Sequence, residues 1–471
     1  MFHGNKKKEK KAITEEESKS IEEKLNKIKS ITEGILKKKE DKDYSEKQLE
    51  NLLKTSVIMP DFYTLWNYRK DIVTSMKQGM EPSKFYEFLP KELKSIIPVM
   101  GKNPKSYVLW FHRIWLLKMA AEYEMSSNIL LGKSLLTSEI GLCDNFLMKD
   151  ERNFHCWNYR MKIFLMIAEY FPAEFPVFLQ KELDITINLI KKNFSNFSSW
   201  HYRTKIIPYY FKFNNISFQT NESLNYLKDD LEYIKNAIFT APNEQSCWNY
   251  HYWIINNLSP ICIESIKHND NVVTIKFSDI FKIMENSAIT LTENNQLVNF
   301  NASTIKAFSN KIDIKITGNW DKLVMFYLEI DDGKLVDPPA KCFTKHSVYF
   351  PKIIICKVDD KLSYNFELKD EEYKKLLFEF LISQLKIVNE LISIEEKDSS
   401  FFYEFARYRK AQIETFILFN FYHPLVEVHK ADSNLLIQSI SDGYKLLVDN
   451  SKRLKDMYQI LLNNFSDLIK N

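Results

Sequence analysis

A four-residue phrase built on tryptophan recurs five times between residues 66 and 251. No other feature constrains the fold as strongly. It reads Trp66-Asn67-Tyr68-Arg69, Trp110-Phe111-His112-Arg113, Trp157-Asn158-Tyr159-Arg160, Trp200-His201-Tyr202-Arg203 and Trp248-Asn249-Tyr250-His251. Five of the eight tryptophans stand in this frame, at steps of 44, 47, 43 and 48 residues. A repeat of that length is one supersecondary unit that cannot bury its apolar face alone, so the copies must stack. Trp and Arg three positions apart share one helix face. The pattern predicts that each Trp packs in the seam between units, and that each Arg stacks on an indole or binds a neighbouring carboxylate.

The stretches before each Trp are also alike: Met59-Pro60-Asp61-Phe62, Asn103-Pro104-Lys105-Ser106-Tyr107, Asp150-Glu151-Arg152-Asn153-Phe154, Asn193-Phe194-Ser195-Asn196-Phe197 and Ala241-Pro242-Asn243-Glu244. Asn, Asp and Ser cap helices, and Pro fits the first helical position. Each unit is therefore a polar loop, a Trp helix and a return helix. The expected result is a curved right-handed stack with its loops along one rim. Glycine is scarce, at 9 residues, which suits helices and disfavours a glycine-dependent nucleotide fold.

Before the first repeat, Ile21, Leu25, Ile28, Ile31 and Ile35 mark an amphipathic helix expected to dock on it. Thr14 with Glu17 forms a capping-box start, and Lys37-Lys38-Lys39 closes the helix favourably for its dipole. The texture changes at Pro260. Val273, Ile275 and Phe277, then Ile312, Ile314 and Ile316, alternate with period two, and further short apolar runs follow to Leu368. These predict a small β-sandwich, with Asp331-Asp332-Gly333 as a hairpin turn rather than a calcium loop. Helical pattern returns at Glu371 and runs through Phe401–Tyr422, Leu435–Val448 and Lys452–Ile469. The expected division is residues 1–258 for the first helix and five repeats, 259–370 for a β-sandwich insertion, and 371–471 for helices completing the solenoid.

Net charge is +3, too small to argue for nucleic acid. Six cysteines, at 143, 156, 247, 262, 342 and 356, form no Cys-x-x-Cys. In a chain of this length that points to a reducing, cytoplasmic setting. No run of 18 apolar residues predicts a transmembrane segment. His112, His201 and His251 face different ways from their helices, so they predict buried, hydrogen-bonded histidines rather than a ligand set.

The repeats and their flanks resemble the α subunit of protein prenyltransferases, and within that group the Rab geranylgeranyltransferase (type II) α subunit. The resemblance rests on Pro60-Asp61-Phe62, Asn103 to Tyr107, Asp150 to Trp157 and Asn193 to Arg203. It covers roughly residues 1–258, and more weakly the tail after Glu371. It implies a mainly α fold: a solenoid of helix hairpins with an inserted immunoglobulin-like β-sandwich, here without the leucine-rich repeats that larger members carry. It also implies a β subunit that holds zinc and most of the isoprenoid pocket. That pair moves geranylgeranyl from its diphosphate to C-terminal cysteines of Rab GTPases, presented by a Rab escort protein, and this chain alone is inactive.

Carried over residue by residue, the resemblance makes Lys105 and Tyr107 the groups beside the departing diphosphate. A Lys at a helix start is poorly placed for the helix dipole, which agrees with service to an anion. Asn153 and His155 correspond to residues facing the partner or substrate, or to plain interface hydrogen bonds. His3 of His3-Gly4 is a candidate visitor to the partner's zinc; no metal site is expected on this chain itself. Trp66, Arg69, Trp110, Arg113, Trp157, Arg160, Trp200, Arg203 and Trp248 are structural. Two other readings stay open: the α subunit of farnesyltransferase or geranylgeranyltransferase type I, and a non-catalytic helical-repeat scaffold.

Overall fold

The computed structural model describes residues 15–122 and 129–259, ten strands between 263 and 367, and residues 371–397, 403–422, 430–451 and 453–470. It is mainly helical. Two compact units, Met1–Phe178 and Leu179–Asn471, divide the chain. The first holds α1 (Glu15–Glu40), α2 (Glu46–Ser56), α3 (Tyr63–Gly79), α4 (Pro82–Lys102), α5 (Tyr107–Glu122), α6 (Ile129–Lys149) and α7 (Phe154–Tyr170). The division falls within α8 (Phe175–Lys192). The second unit continues with α9 (Phe197–Phe213), α10 (Asn221–Thr240) and α11 (Gln245–Leu258), then the strands, then α12 (Glu371–Lys397), α13 (Glu404–Phe421), α14 (Lys430–Asn450) and α15 (Lys455–Lys470).

Each Trp helix is fastened to its own loop in one way. The indole N–H donates to the carbonyl six residues earlier: Trp66 to Pro60 at 2.7 Å, Trp110 to Pro104, Trp157 to Glu151 and Trp200 to Phe194 at 2.9 Å, and Trp248 to Pro242 at 2.7 Å. The indole is buried while its single donor is satisfied, so a polar loop is fixed over an apolar helix. Polar caps start the helices as well. Asn196 Oδ1 accepts the Ser199 N–H at 3.3 Å, and Thr220 with Ser223 forms a capping box before α10.

The arginines bind carboxylates. In the first unit, Arg69 forks onto Glu92 of α4, with Nε to Oε1 at 2.6 Å and Nη2 to Oε2 at 2.7 Å, and its Nη1 donates to the Leu49 carbonyl at 2.5 Å. Arg113 does the same with Glu139 of α6 and the Leu93 carbonyl, and the Tyr159 hydroxyl donates to that same Glu139. Arg160 reaches Asp144 Oδ1 at 2.6 Å. In the second unit, Arg203 forks onto Asp230 of α10 with two 2.7 Å bonds, and Tyr250 donates to Asp230. Tyr202 donates to Glu182 at 2.8 Å. Glu139 and Asp230, buried carboxylates on return helices, thus each serve the arginine of one repeat and the tyrosine of the next. Such charges are tolerable inside a protein only because every member is paired.

Two phrases differ in residue type. His112 stands where the others carry Tyr. It is fully buried, 3.7 Å from Glu92 Oε1, and makes no hydrogen bond of its own, so the expectation of a hydrogen-bonded histidine fails there. Burial holds it near pKa 4 and therefore neutral. Burial works against the charge on Glu92, but the Arg69 guanidinium bonded to both its oxygens outweighs it and holds that carboxyl at about 2. His251 stands where the others carry Arg. Its Nε2 meets Gln384 Oε1 of α12 at 3.0 Å, and Arg409 of α13 donates to the Trp248 carbonyl. The Tyr373 hydroxyl donates to the Leu258 carbonyl at 2.6 Å. α12 and α13 therefore close directly on α11, with the strands lying between them in sequence. A cluster around Leu418, Ile440, Leu447 and Tyr458 joins α13, α14 and α15.

The docking of α1 differs from expectation. Its C-terminal half is partly buried at Ile28, Ile31 and Ile35, but Ile21 and Leu25 are 45% and 59% exposed. Periodicity locates an apolar face and says nothing of whether a neighbour covers it. Thr14 lies outside the described residues.

The strands are β1 (Ile263–Asn269), β2 (Val272–Ile283), β3 (Ile289–Glu293), β4 (Gln296–Leu297), β5 (Phe300–Ala302), β6 (Ser309–Ile316), β7 (Met325–Ile330), β8 (Leu335–Val336), β9 (Lys352–Val358) and β10 (Lys361–Glu367). They pair antiparallel in two sheets, ordered β1-β2-β6-β5 with β8 also on β2, and β10-β9-β7-β3-β4. The alternating runs meet in register, Val273 opposite Ile314 and Ile275 opposite Ile312. Asp331-Asp332-Gly333 lies outside the described residues. Among the described residues β7 pairs β3 and β9, and β8 pairs β2.

Candidate functional site

Two neighbouring helix starts in the first unit, those of α5 and α7, bring the sequence-selected polar residues together. The loop before α5 is tied down on three sides. Ser106 Oγ donates to Asp61 Oδ1 at 2.6 Å, and the Pro104 carbonyl accepts from both the Trp110 indole at 2.9 Å and Asn153 Nδ2 at 3.1 Å. Asn153 caps α7 through Oδ1, which accepts the N–H groups of His155 at 3.1 Å and Cys156 at 3.2 Å. Its side chain is spent on these bonds and only 2% exposed. Asn153 thus sets the spacing of the two helix starts, with its side chain turned inwards.

Within this frame the Tyr107 ring meets His155 edge-on at 4.2 Å, and Phe154 lies 3.9 Å from the same imidazole. Burial, and then the charge of Lys105, lowers the His155 pKa, which favours a neutral ring. The Lys105 ammonium stands 3.4 Å from Asp150 Oδ2 with its side chain 72% exposed. Asp150 is fixed by its own turn: Oδ1 accepts the Arg152 N–H at 3.1 Å and its carbonyl accepts that of Asn153 at 3.1 Å. A long, hydrated cation and an exposed phenol two residues apart at one helix start suit an anion arriving from solvent.

A half-open cavity of about 300 Å³ adjoins this cluster along α5 and α7. It is lined by Tyr107, Phe111, Ile114, His155, Met161 and Lys162 among others. Lys162 Nζ lies 5.1 Å from the centre of the exposed Phe111 ring. The sequence reading singled out neither Asp150 nor this pair. Asp150 is separated from Lys105 by 45 positions, and only the fold joins them. Phe111 did carry a signal: the same place in the other four phrases holds Asn67, Asn158, His201 and Asn249.

Among the described residues no group of three or more His, Cys, Asp or Glu side chains stands in position to hold a metal, and no helix is long and apolar enough to cross a membrane. His3 lies outside the described residues.

Comparisons with known proteins agree with this architecture. The model of the protein prenyltransferase alpha subunit repeat matches residues 89–120, 136–167, 179–210 and 227–258. These four segments each end on a Trp helix; the Trp66 helix falls outside them. The geranylgeranyl transferase type-2 subunit alpha of Saccharomyces cerevisiae is 32% identical over 260 residues, 54% of this chain and 73% of that protein. A chain with these repeats and this similarity belongs to the protein prenyltransferase alpha subunits. Within that family its similarity is to the type-2 geranylgeranyl transferase members. The mouse (Mus musculus) and human (Homo sapiens) proteins of that name are 33% and 34% identical over 260 and 261 residues, 55% of this chain in each case. The match spans 42% of the length of each of these mammalian relatives.

Proposed function

We propose that this chain is the α subunit of a heterodimeric Rab geranylgeranyltransferase. It acts with a β subunit and moves geranylgeranyl from its diphosphate to C-terminal cysteine thiols of Rab GTPases brought by an escort protein. Support comes from the type-2 relatives. The observation that carries the reading is the exposed Lys105 ammonium, whose charge is felt by His155, at the same pair of fixed helix starts as the Tyr107–His155 contact.

In the transfer, the acceptor sulfur bonds to C1 of the isoprenoid as the C1–O bond to diphosphate breaks. The diphosphate leaves with the electron pair, and the thiol proton passes to solvent. Zinc, held by the β subunit, supplies a thiolate at neutral pH. This chain serves the other end of the reaction. Negative charge grows on the departing diphosphate, and the Lys105 ammonium and Tyr107 hydroxyl are donors set where it develops. Asn153, through Pro104 and the start of α7, holds them in register. Loss of one such donor typically costs about 10²–10³ in rate.

The reading extends to the rest of the chain. Residues 259–370 form an immunoglobulin-like β-sandwich inserted between a repeat domain, 1–258, and its completing helices, 371–471. The complex works in the cytoplasm, and this chain without its β subunit is inactive.

The test is prenyl transfer by the co-expressed α and β chains to a Rab with its escort protein, and to a peptide ending in a CaaX box. Transfer to the Rab alone supports the reading. Transfer to the peptide instead would assign the chain to the farnesyltransferase or type I class, and a chain that forms no complex and supports no transfer would be a scaffold.

A further inference from the structure

The Lys105–Asp150 contact sets a mobile group against a fixed one. Asp150 is held by the N–H groups of Arg152 and Asn153, whereas the lysine has a flexible stem and 72% exposure. At 3.4 Å in open solvent the pair is weak, so a doubly or triply charged anion can take the ammonium away from it.

Resting on the reading of Lys105 given above, we propose that Asp150 is a positioning residue. It latches the Lys105 ammonium over the α7 turn while the site is empty, yields it to the diphosphate, and reclaims it as the diphosphate leaves. The latch limits how tightly product is retained. Its cost falls on every diphosphate ligand of the site, substrate and product alike, because each must displace the same carboxylate.

The probe is inorganic pyrophosphate as a product inhibitor of the αβ complex. Asp150→Asn keeps an oxygen for the Arg152 N–H and removes the charge. The inhibition constant for pyrophosphate should fall about fivefold, the size of one exposed ion pair, and the KM for geranylgeranyl diphosphate should fall with it. Damage to the loop would weaken binding, so tighter inhibition is the opposite of a merely structural effect. An unchanged or raised inhibition constant would overturn the proposal. In a Lys105→Ala background the Asp150→Asn change should shrink towards none, since the two residues then share no contact. If it persists at full size, Asp150 repels diphosphate directly and the latch is wrong. Unaltered inhibition by pyrophosphate in Lys105→Ala alone would strike the reading of Lys105 itself.

Discussion

The Trp110–Tyr159 pair of repeats in the first unit and the Trp200–Tyr250 pair in the second are alike inside and unlike at their helix starts. In one, Arg113 and Tyr159 share Glu139; in the other, Arg203 and Tyr250 share Asp230. Five residues before Trp110 stands Lys105, whereas five before Trp200 stands Ser195; three before them stand Tyr107 and Phe197. The buried half of the phrase is common to both regions and so answers a common need, which is stacking. The loop half is particular to the α5–α7 neighbourhood, and there the proposed chemistry lies.

The largest effects should fall on the shared half. Arg113→Ala and Arg203→Ala each strand a buried carboxylate, and each should cost about 3–5 kcal/mol of stability in denaturant unfolding. If only one of the two does so, the two regions are not built on one principle.

The unshared half should respond in activity instead. Lys105→Ala should slow transfer about 10²–10³-fold with an unchanged melting temperature, while Ser195→Ala should leave the rate within a factor of two or so. A matching loss at Ser195 would erase the contrast.

Acid should weaken both regions. His112 is held near pKa 4 and His251 near 3, against an ordinary 6.5, in each case first by burial. The unfolded chain therefore takes up these protons first. Stability is complete above about pH 6.5 and falls as pH drops towards 4, by at most about 1.4 kcal/mol per pH unit for each histidine. Glu92, held at about 2, adds a loss of the same sign between pH 4.5 and 2. His112→Phe should flatten the upper part of the curve; a pH profile unmoved by it would refute the assignment of that proton.

A smaller loss of rate than that of Lys105→Ala is expected of Tyr107→Phe. It removes one neutral donor and keeps the ring on His155, so transfer should slow about tenfold with stability preserved.

The repeat could be read from sequence because Trp and Arg recur at fixed places on a helix face. The carboxylates that bind the arginines could not be picked out from the arginines themselves. Glu92, Glu139 and Asp230 lie 23, 26 and 27 residues beyond them. Their regularity runs the other way, 20 residues before Tyr159 and Tyr250, and shows only once the contacts are known. His251 hid a second substitution, since Arg409 arrives at the Trp248 carbonyl from 161 residues away. In the strand region, alternation located β2 and β6, but the partner of β8, the two residues Leu335 and Val336, is non-local and no alternation marks it. Lys105 and Tyr107 were distinguished by family resemblance, with one local hint, a lysine at a helix start. The inward turn of Asn153 and the partnership with Asp150 depend on α5 and α7 starting side by side, which no short-range pattern encodes.

The most direct test of the account is single-turnover geranylgeranyl transfer to an escorted Rab by the αβ complex carrying Lys105→Ala, with complex formation and thermal melting measured on the same sample. The account predicts an intact complex, an unchanged melting curve and transfer slowed about 10²–10³-fold. Transfer at the wild-type rate in that intact complex would contradict it, leaving Lys105 an ordinary surface lysine and the α5–α7 helix starts without a part in the chemistry.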